Sequence, residues 1–134
     1  MFKKLYDAIN NLDNLKTLNP ASEADVTNAE KILGLKFADD YCAYTTKCGA
    51  LSGRRIELTG VVPSKRLNVV DATVRERKRH KNLPSDVYVI EDLGIMDLVT
   101  VQRSDGKIFF ITFSGTLSYI CDSLQEYIEQ AQDD

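Results

Sequence analysis

The chain has 134 residues, of which 43% are hydrophobic and 28% are charged, and its formal net charge at pH 7 is −3. This length fits one domain, and the apolar fraction is high enough to offset the conformational entropy lost on folding, which excludes a fully disordered chain. The sequence has no apolar run long enough for a transmembrane helix, and its charge balance is not that of a strongly basic nucleic-acid-binding protein.

Three helices are predicted in the first third of the chain. Apolar residues recur at spacings of three and four over residues 2–15, which predicts an amphipathic helix, and Pro20 lies beyond its end. Ser22 has the character of an N-cap for a second helix, and Gly34 supplies its left-handed C-terminal stop. A third helix is predicted over residues 38–47.

The second half of the chain changes from helical to strand periodicity. A helix with one apolar and one basic side is expected over residues 65–80, and β-branched and aromatic runs follow it. Gly106, preceded by Ser and Asp, predicts a hairpin turn between the last two runs. Asp122 or Ser123 is expected to cap a C-terminal helix. The strands expected in the antiparallel sheet cover mainly residues 54–62, 87–90, 98–102 and 107–113.

The predicted order of elements is αααβ(β)αβββ(β)α, in which parentheses mark optional strands. An antiparallel meander in this order indicates an α+β fold, with one sheet flanked by N-terminal, middle and C-terminal helices. No repeat or linker divides the chain, so we expect a single domain over residues 1–134. The residues expected in its core are Leu5, Ile9, Val26, Ile32, Leu33, Leu35, Tyr41, Val89, Leu98, Phe110 and Ile128.

Few residues offer catalytic or metal-binding chemistry. His80, the only histidine, lies in a basic run and is expected to be a solvated surface residue. Cys42 and Cys48 are six residues apart, wider than the usual spacing of paired zinc ligands, and are expected to be buried structural thiols. Together with Cys121 they are expected to be reduced, as in a cytosolic protein. The motifs of phosphate-binding loops, serine hydrolases and zinc proteases are absent from the sequence. We therefore expect no enzyme activity, no metal and no cofactor.

Two charged segments have several interpretations. Residues 61–82 contain seven Lys or Arg and two Asp or Glu, a net charge of +5 that leaves −8 on the rest of the chain. This segment is interpreted as a solvated helix face, as a contact with a protein partner, or as a phosphate-binding surface. The acidic group of Glu91, Asp92 and Asp97 beside a glycine is interpreted as a structural turn, as a partner contact, or as an acid–base pair.

The ordered set of these motifs resembles the SUKH superfamily. Residues 22–49 contain a polar cap, a helix that ends in Leu-Gly at Gly34, an acid–Tyr helix start and a closing glycine. Residues 86–109 contain a strand, an acidic glycine turn, a second strand and the Asp-Gly turn at Gly106. Residues 123–128 are similar to the closing helix of that family, so the resemblance covers about residues 20–130.

The resemblance implies a function that composition and spacing do not. Most bacterial SUKH proteins are immunity proteins, which bind and neutralise a cognate toxin, commonly a nuclease delivered by a neighbouring cell. The resemblance therefore implies a protein whose partner is a protein toxin. Composition and motifs add the expectations of a cytoplasmic location, no catalysis, no membrane partner and no nucleic-acid partner, and the protein is expected to be a monomer. The alternative is a regulatory interaction module that associates with nucleic acid through residues 75–81.

A partner-binding surface follows from this implied function. A nuclease holds phosphates, so its cleft is expected to be basic, and carboxylates of an inhibitor would speed encounter with that cleft and bond to it. Acids and arginines near the loop after residue 49 and the loop 91–97 are the candidates, and the basic residues 75–81 form the competing face. The predicted contact residues are Arg54, Arg55, Glu57, Glu91, Asp92, Asp97 and Arg103.

Overall fold

A computed structural model of the chain describes residues 1–92, 94 and 98–132. The helices of this part are α1 (Lys3–Asn10), α2 (Glu23–Leu33), α3 (Asp39–Cys48), α4 (Val69–Arg79) and α5 (Leu124–Gln132). A short 3₁₀ helix, Lys65–Leu67, precedes α4. The strands are β1 (Lys16–Thr17), β2 (Leu51–Gly53), β3 (Ile56–Leu58), β4 (Val87–Asp92), β5 (Val99–Arg103), β6 (Ile108–Ile111) and β7 (Leu117–Cys121).

The strands form two antiparallel sheets, in the orders β1-β2-β3 and β4-β5-β6-β7. The α+β class with antiparallel pairing is thus confirmed, but the expected membership of residues 54–62 in the main sheet is wrong. The two sheets nevertheless lie side by side. The backbone N–H of Thr59, which follows β3, donates to the carbonyl oxygen of Ile90 in β4 at 2.8 Å, and the Thr59 hydroxyl donates to the carbonyl oxygen of Val89.

The helix ends follow local sequence signals. The Ser22 hydroxyl accepts the Asp25 N–H at 3.1 Å at the start of α2, and Gly34 ends that helix with a φ of 70°. Asn68 caps α4 by accepting the Val70 N–H, so the 3₁₀ helix and α4 replace one continuous helix over residues 65–80. At α5 the choice between two caps is resolved, because Ser123 accepts the Glu126 N–H.

The four-stranded sheet separates two apolar clusters. On one face, Tyr88, Ile90 and Ile108 belong to the larger cluster, which also contains residues of α1, α2, α3 and α5. On the other face, valines of β4 and β5 pack with Ala72 of α4. The sheet is therefore covered on both faces. Among the residues expected in the core, Leu5, Ile9, Val26, Leu33, Tyr41, Val89 and Ile128 are buried.

Two of the residues expected in the core are exposed, and two are half-buried. Ile32 is 59% exposed, because it lies about 100° around α2 from the buried Leu33. Leu98 is 46% exposed and lies one residue before β5, which begins at Val99. Leu35 and Phe110 are half-buried.

Adjacent residues of α2 provide a test of this core assignment. Leu33→Ala removes a side chain that is 4% exposed and is expected to lower the free energy of unfolding by about 2–3 kcal/mol. Ile32→Ala, its matched control, is expected to change it by less than about 0.5 kcal/mol, since the side chain is already in water. Urea denaturation of both variants measures the difference. Equal destabilisation by the two changes would contradict the placement of α2.

Candidate functional site

Glu91 joins the two sheets from inside the protein. Its side chain is at the end of β4 and is 4% exposed. One carboxylate oxygen accepts the backbone N–H of Glu57 in β3 at 2.7 Å, and the other accepts the hydroxyl of Tyr127 in α5. The Tyr127 oxygen also lies 3.1 Å from the Thr100 hydroxyl oxygen. Glu91, predicted as a contact residue, therefore does not present its carboxylate at the surface.

The surroundings of Glu91 favour its protonated form. Burial raises the pKa of the Glu91 carboxyl above its ordinary value, and the bonds from Glu57 and Tyr127 offset part of that rise. Burial and the adjacent Glu91 also raise the pKa of Tyr127. The hydrogen bonds of Glu91 hold β3 against β4 and α5, so the role of Glu91 is to position the loop residues around it.

Glu57 lies at the surface above this group and is paired with an arginine. Arg66 binds it in the bidentate manner, with nitrogen–oxygen distances of 2.5 and 2.9 Å. The hydrogen bonds from Arg66 hold the pKa of Glu57 below its ordinary value. The Glu57 carboxylate is thus charged, oriented and about one-third exposed.

Asp92 makes a similar pair next to it. One carboxylate oxygen lies 3.5 Å from the Arg75 guanidinium, and the other accepts the Gly94 N–H at 2.9 Å. Both pairs border one surface pocket of about 310 Å³, and we call this site the two-pair pocket. Its lining residues are Glu57, Thr59, Arg66, Leu67, Arg75, Asp92 and Gly94.

The other predicted contact residues are only partly brought together. Arg54 and Arg55 are exposed in the turn between β2 and β3, next to Glu57 in the chain. Arg103 lies at the far end of the main sheet from Asp92, because Asp92 pairs with Val99 at one end of β5 and Arg103 is at the other. There it contacts Asp86 and the ring of Phe109. Asp97 lies outside the described residues.

Two arginines of the two-pair pocket were not among the predicted contacts. Arg75 belongs to the basic run of α4, and its distance from Asp92 along the chain gives no sign of the pairing. Arg66 precedes α4 and is nine residues after Glu57. The sequence feature that points to these two arginines is the net charge of +5 over residues 61–82, because both belong to this basic segment, which faces the acids.

Arg77, Arg79 and His80 of the basic run are also held by contacts within the protein. The Arg77 guanidinium donates to the carbonyl oxygens of Leu33 and Ser85, and Arg79 lies 3.4 Å from Glu76. Glu76 is only 1% exposed, and one of its oxygens lies 3.9 Å from Nε2 of His80. The expectation that His80 is a solvated residue is wrong, because its side chain is about four-fifths buried, next to Glu76 and Gly115.

The three cysteines are free thiols that differ in burial. Cys48 and Cys121 are buried and Cys42 is half-buried. Burial raises the pKa of Cys42 and of Cys121 to about 11, so both are protonated at neutral pH. Within the described part of the chain, no three His, Cys, Asp or Glu side chains form a group that could hold a metal ion. The absence of catalysis, metal and cofactor stays a prediction.

Comparison with known proteins gives the family. None of the curated proteins matches the chain significantly. Among residues 1–92, 94 and 98–132, no helix combines the length and the apolar character needed to cross a membrane. The family model SUKH_5, described as SMI1-KNR4 cell-wall, matches residues 2–133, nearly the whole chain. The resemblance found in the sequence is confirmed, and the chain belongs to the SUKH superfamily.

Proposed function

We propose that this protein is an immunity protein that binds a cognate protein toxin, a nuclease, and neutralises it in the cytoplasm of the cell that makes both. The observation that carries the proposal is the family match over residues 2–133, because SUKH proteins are commonly toxin immunity proteins. The protein acts by binding and without catalysis.

The two-pair pocket is the proposed centre of the toxin-binding surface. Its acids are paired before binding: Arg66 contacts Glu57, and Arg75 together with the Gly94 N–H contacts Asp92. Side chains that are already ordered lose less entropy when a partner docks, so more of the contact energy appears as affinity. Such a site recognises a partner by the geometry of its charges rather than by apolar area.

The chemistry of a nuclease explains the acids of this surface. A basic phosphate-binding cleft attracts the carboxylates of Glu57 and Asp92, which speeds the encounter of the two proteins. On docking, cations of the cleft bind these carboxylates in place of, or together with, Arg66 and Arg75. The exposed Arg54 and Arg55, which precede Glu57 by three and two positions in the chain, supply long planar side chains of the kind that anchor interfaces. Glu91 supports this surface from below.

The alternative function, association with nucleic acid through residues 75–81, has less support. Phosphate binding needs cations that are free to face a backbone. Arg75 and Arg77 instead point to partners within the protein, Asp92 in the first case and two backbone carbonyls in the second. Lys78 and Lys81 are exposed, and the exposed Arg79 is paired with Glu76, which leaves a small electrostatic footprint for a phosphate backbone.

Neutralising the pocket acids tests the proposal. The product of the open reading frame next to the gene is co-expressed with this protein, and survival, complex formation and association rate are measured. The double change Glu57→Gln with Asp92→Asn keeps hydrogen-bond acceptors in place but removes two negative charges. We expect association with the toxin to slow by about tenfold at low salt, because electrostatic steering is lost.

The matched control is Lys78→Gln with Lys81→Gln, which removes two exposed charges from the competing face. This variant is expected to protect cells and to associate at the rate of the native protein. Slower association of the control, without slower association of the pocket variant, would show that the toxin binds the α4 face instead. A neighbouring gene product that is not toxic, or that this protein does not bind, would contradict the proposed function itself.

A further inference from the structure

The outer edge of the main sheet is formed by β7. At the opposite edge, β4 is covered, since Thr59 donates to the Ile90 carbonyl oxygen there. β7 pairs only with β6, and among the described residues no backbone hydrogen bond from another element reaches Leu117–Cys121. The sheet therefore has one open edge, with unpaired backbone donors and acceptors.

This edge lacks the charged residues and prolines that often keep strand edges apart, although the register of β7 on β6 shifts between Ile108 and Phe109. Proteins usually protect an open edge with charged residues, especially lysine, or with proline. Residues 108–121 contain neither a charged residue nor a proline, although 28% of the whole chain is charged. Two aromatic side chains are also exposed beside the edge, Phe113 at 88% and Tyr119 at 55%. A neutral, partly apolar open edge is suited to pairing with another strand.

We infer that β7 pairs with β7 of a second copy of this chain, edge to edge and antiparallel, to form a two-fold symmetric dimer. The two four-stranded sheets then become one continuous sheet of eight strands. This pairing is independent of the proposed immunity function.

The β6–β7 hairpin fixes which backbone groups are available. Its turn is closed by hydrogen bonds from Thr112 N–H to the Thr116 carbonyl and from Gly115 N–H to the Thr112 carbonyl. Since the direction of backbone groups alternates along an antiparallel strand, those of Leu117 and Tyr119 point away from β6. A two-fold axis at Ser118 then places Leu117 of each copy opposite Tyr119 of the other, and backbone hydrogen bonds form in both pairs.

The second copy is favoured over a foreign strand because the edge is self-complementary. Antiparallel pairing of two identical neutral strands brings no like charges together, and it sets an exposed tyrosine beside a half-buried leucine twice. The assembly is also closed. The four-stranded sheet of each chain has one open edge, so dimerisation removes both of these edges and leaves none for further pairing of this sheet. This inferred dimer differs from the monomer expected from the sequence.

Sedimentation equilibrium of the purified protein tests the inference over a wide concentration range. The native chain is expected to reach twice its monomer mass as concentration rises. Tyr119→Lys places a charge at the paired edge and is expected to shift the protein to the monomer, because two lysines then face the joined edge. Gln130→Lys adds the same charge on the exposed side of α5 and is expected to leave the dimer intact.

Hydrogen exchange supplies a second measurement that needs no variant. In a dimer, the amides of Leu117 and Tyr119 become protected as concentration rises, whereas the Ser118 amide, already directed at β6, changes little. A protein that stays monomeric at every concentration would overturn the inference. So would a dimer that Tyr119→Lys leaves unchanged and that gives no protection at these two amides.

Discussion

Asp40→Ala is expected to lower the free energy of unfolding by about 4 kcal/mol, the largest effect of any single change considered for this protein. Asp40 lies in the first turn of α3, and its two oxygens hold two distant elements. One accepts the backbone N–H of Leu124 at 2.8 Å, at the start of α5, and the other accepts the Gln102 amide at 3.0 Å. Alanine removes both acceptors at once.

The expected loss of stability is large because the polar groups around Gln102 are buried and hydrogen-bonded to one another. The Gln102 side chain is inaccessible to solvent; its nitrogen donates to Asp40 and to the Gly106 carbonyl, and its oxygen accepts the Tyr88 hydroxyl. The Tyr88 oxygen in turn accepts the Ala38 N–H at the start of α3. Without Asp40, a buried amide proton and a helix N-terminus lose their partner, and each unpaired buried group is costly.

Asp40→Asn is the control for this prediction. Its amide oxygen is able to replace one of the two acceptors but not both, so we expect a loss of about half that of alanine. Urea denaturation measures the free energies, and hydrogen exchange of the first amides of α5 reports whether that helix end opens. Equal stability of Asp40→Ala and the native protein, with the α5 amides still protected, would contradict the role assigned to Asp40.

The sequence predicts those features that depend on neighbouring residues. Ser22 begins α2 and Gly34 ends it through a hydrogen bond and a dihedral angle that involve only nearby residues, and the Gly106 turn joins strands adjacent in the chain. These features are therefore predictable from the local sequence. β1 is only two residues long, which is too short to show any periodicity. The burial of His80 depends on a distant residue, since Gly115 as well as the nearby Glu76 lies against it, and local spacing does not predict that contact.

The candidate site shows more clearly which features the spacing of residues in the sequence does not predict. Glu91 and Asp92 are adjacent acids with opposite environments, because neighbouring side chains of a strand point to opposite faces. Asp92 faces Arg75 at the surface, whereas Glu91 faces Tyr127 in the interior, 36 positions away in the chain. Composition indicates that an acidic group exists, but only the packing of β4 against α5 decides which acid a partner is able to reach.

Glu91 therefore gives the second large stability effect. Glu91→Ala leaves the Glu57 N–H and the Tyr127 hydroxyl without their acceptor between the two sheets, and we expect a loss of about 3 kcal/mol. Glu91→Gln keeps the shape of the side chain. Its oxygen is able to accept from Glu57 and its amide to donate to the Tyr127 oxygen, so we expect a loss of about 1 kcal/mol.

The same pair of proteins, native and Glu91→Gln, is expected to respond differently to pH. Because burial raises the pKa of Glu91 in the folded state, the folded protein holds that proton more tightly than the unfolded chain does. The stability that Glu91 contributes is therefore fully present below its ordinary pKa and is lost as pH rises through the raised value. Glutamine does not titrate, so the advantage of the native protein over Glu91→Gln is expected to shrink as pH rises through this window.

Urea denaturation from about pH 4 to pH 8 measures the stability difference between the two proteins. Tyr127→Phe is the informative companion, because it removes a hydrogen bond that lowers the Glu91 pKa. In that background the loss of stability with rising pH is expected to grow and to extend to higher pH. A difference between native protein and Glu91→Gln that grows as pH rises would show instead that the carboxylate is stabilised by its partners more than burial penalises it. Glu91 would then hold β3 and α5 as a charged group, and the loops above it would be most firmly held at neutral pH.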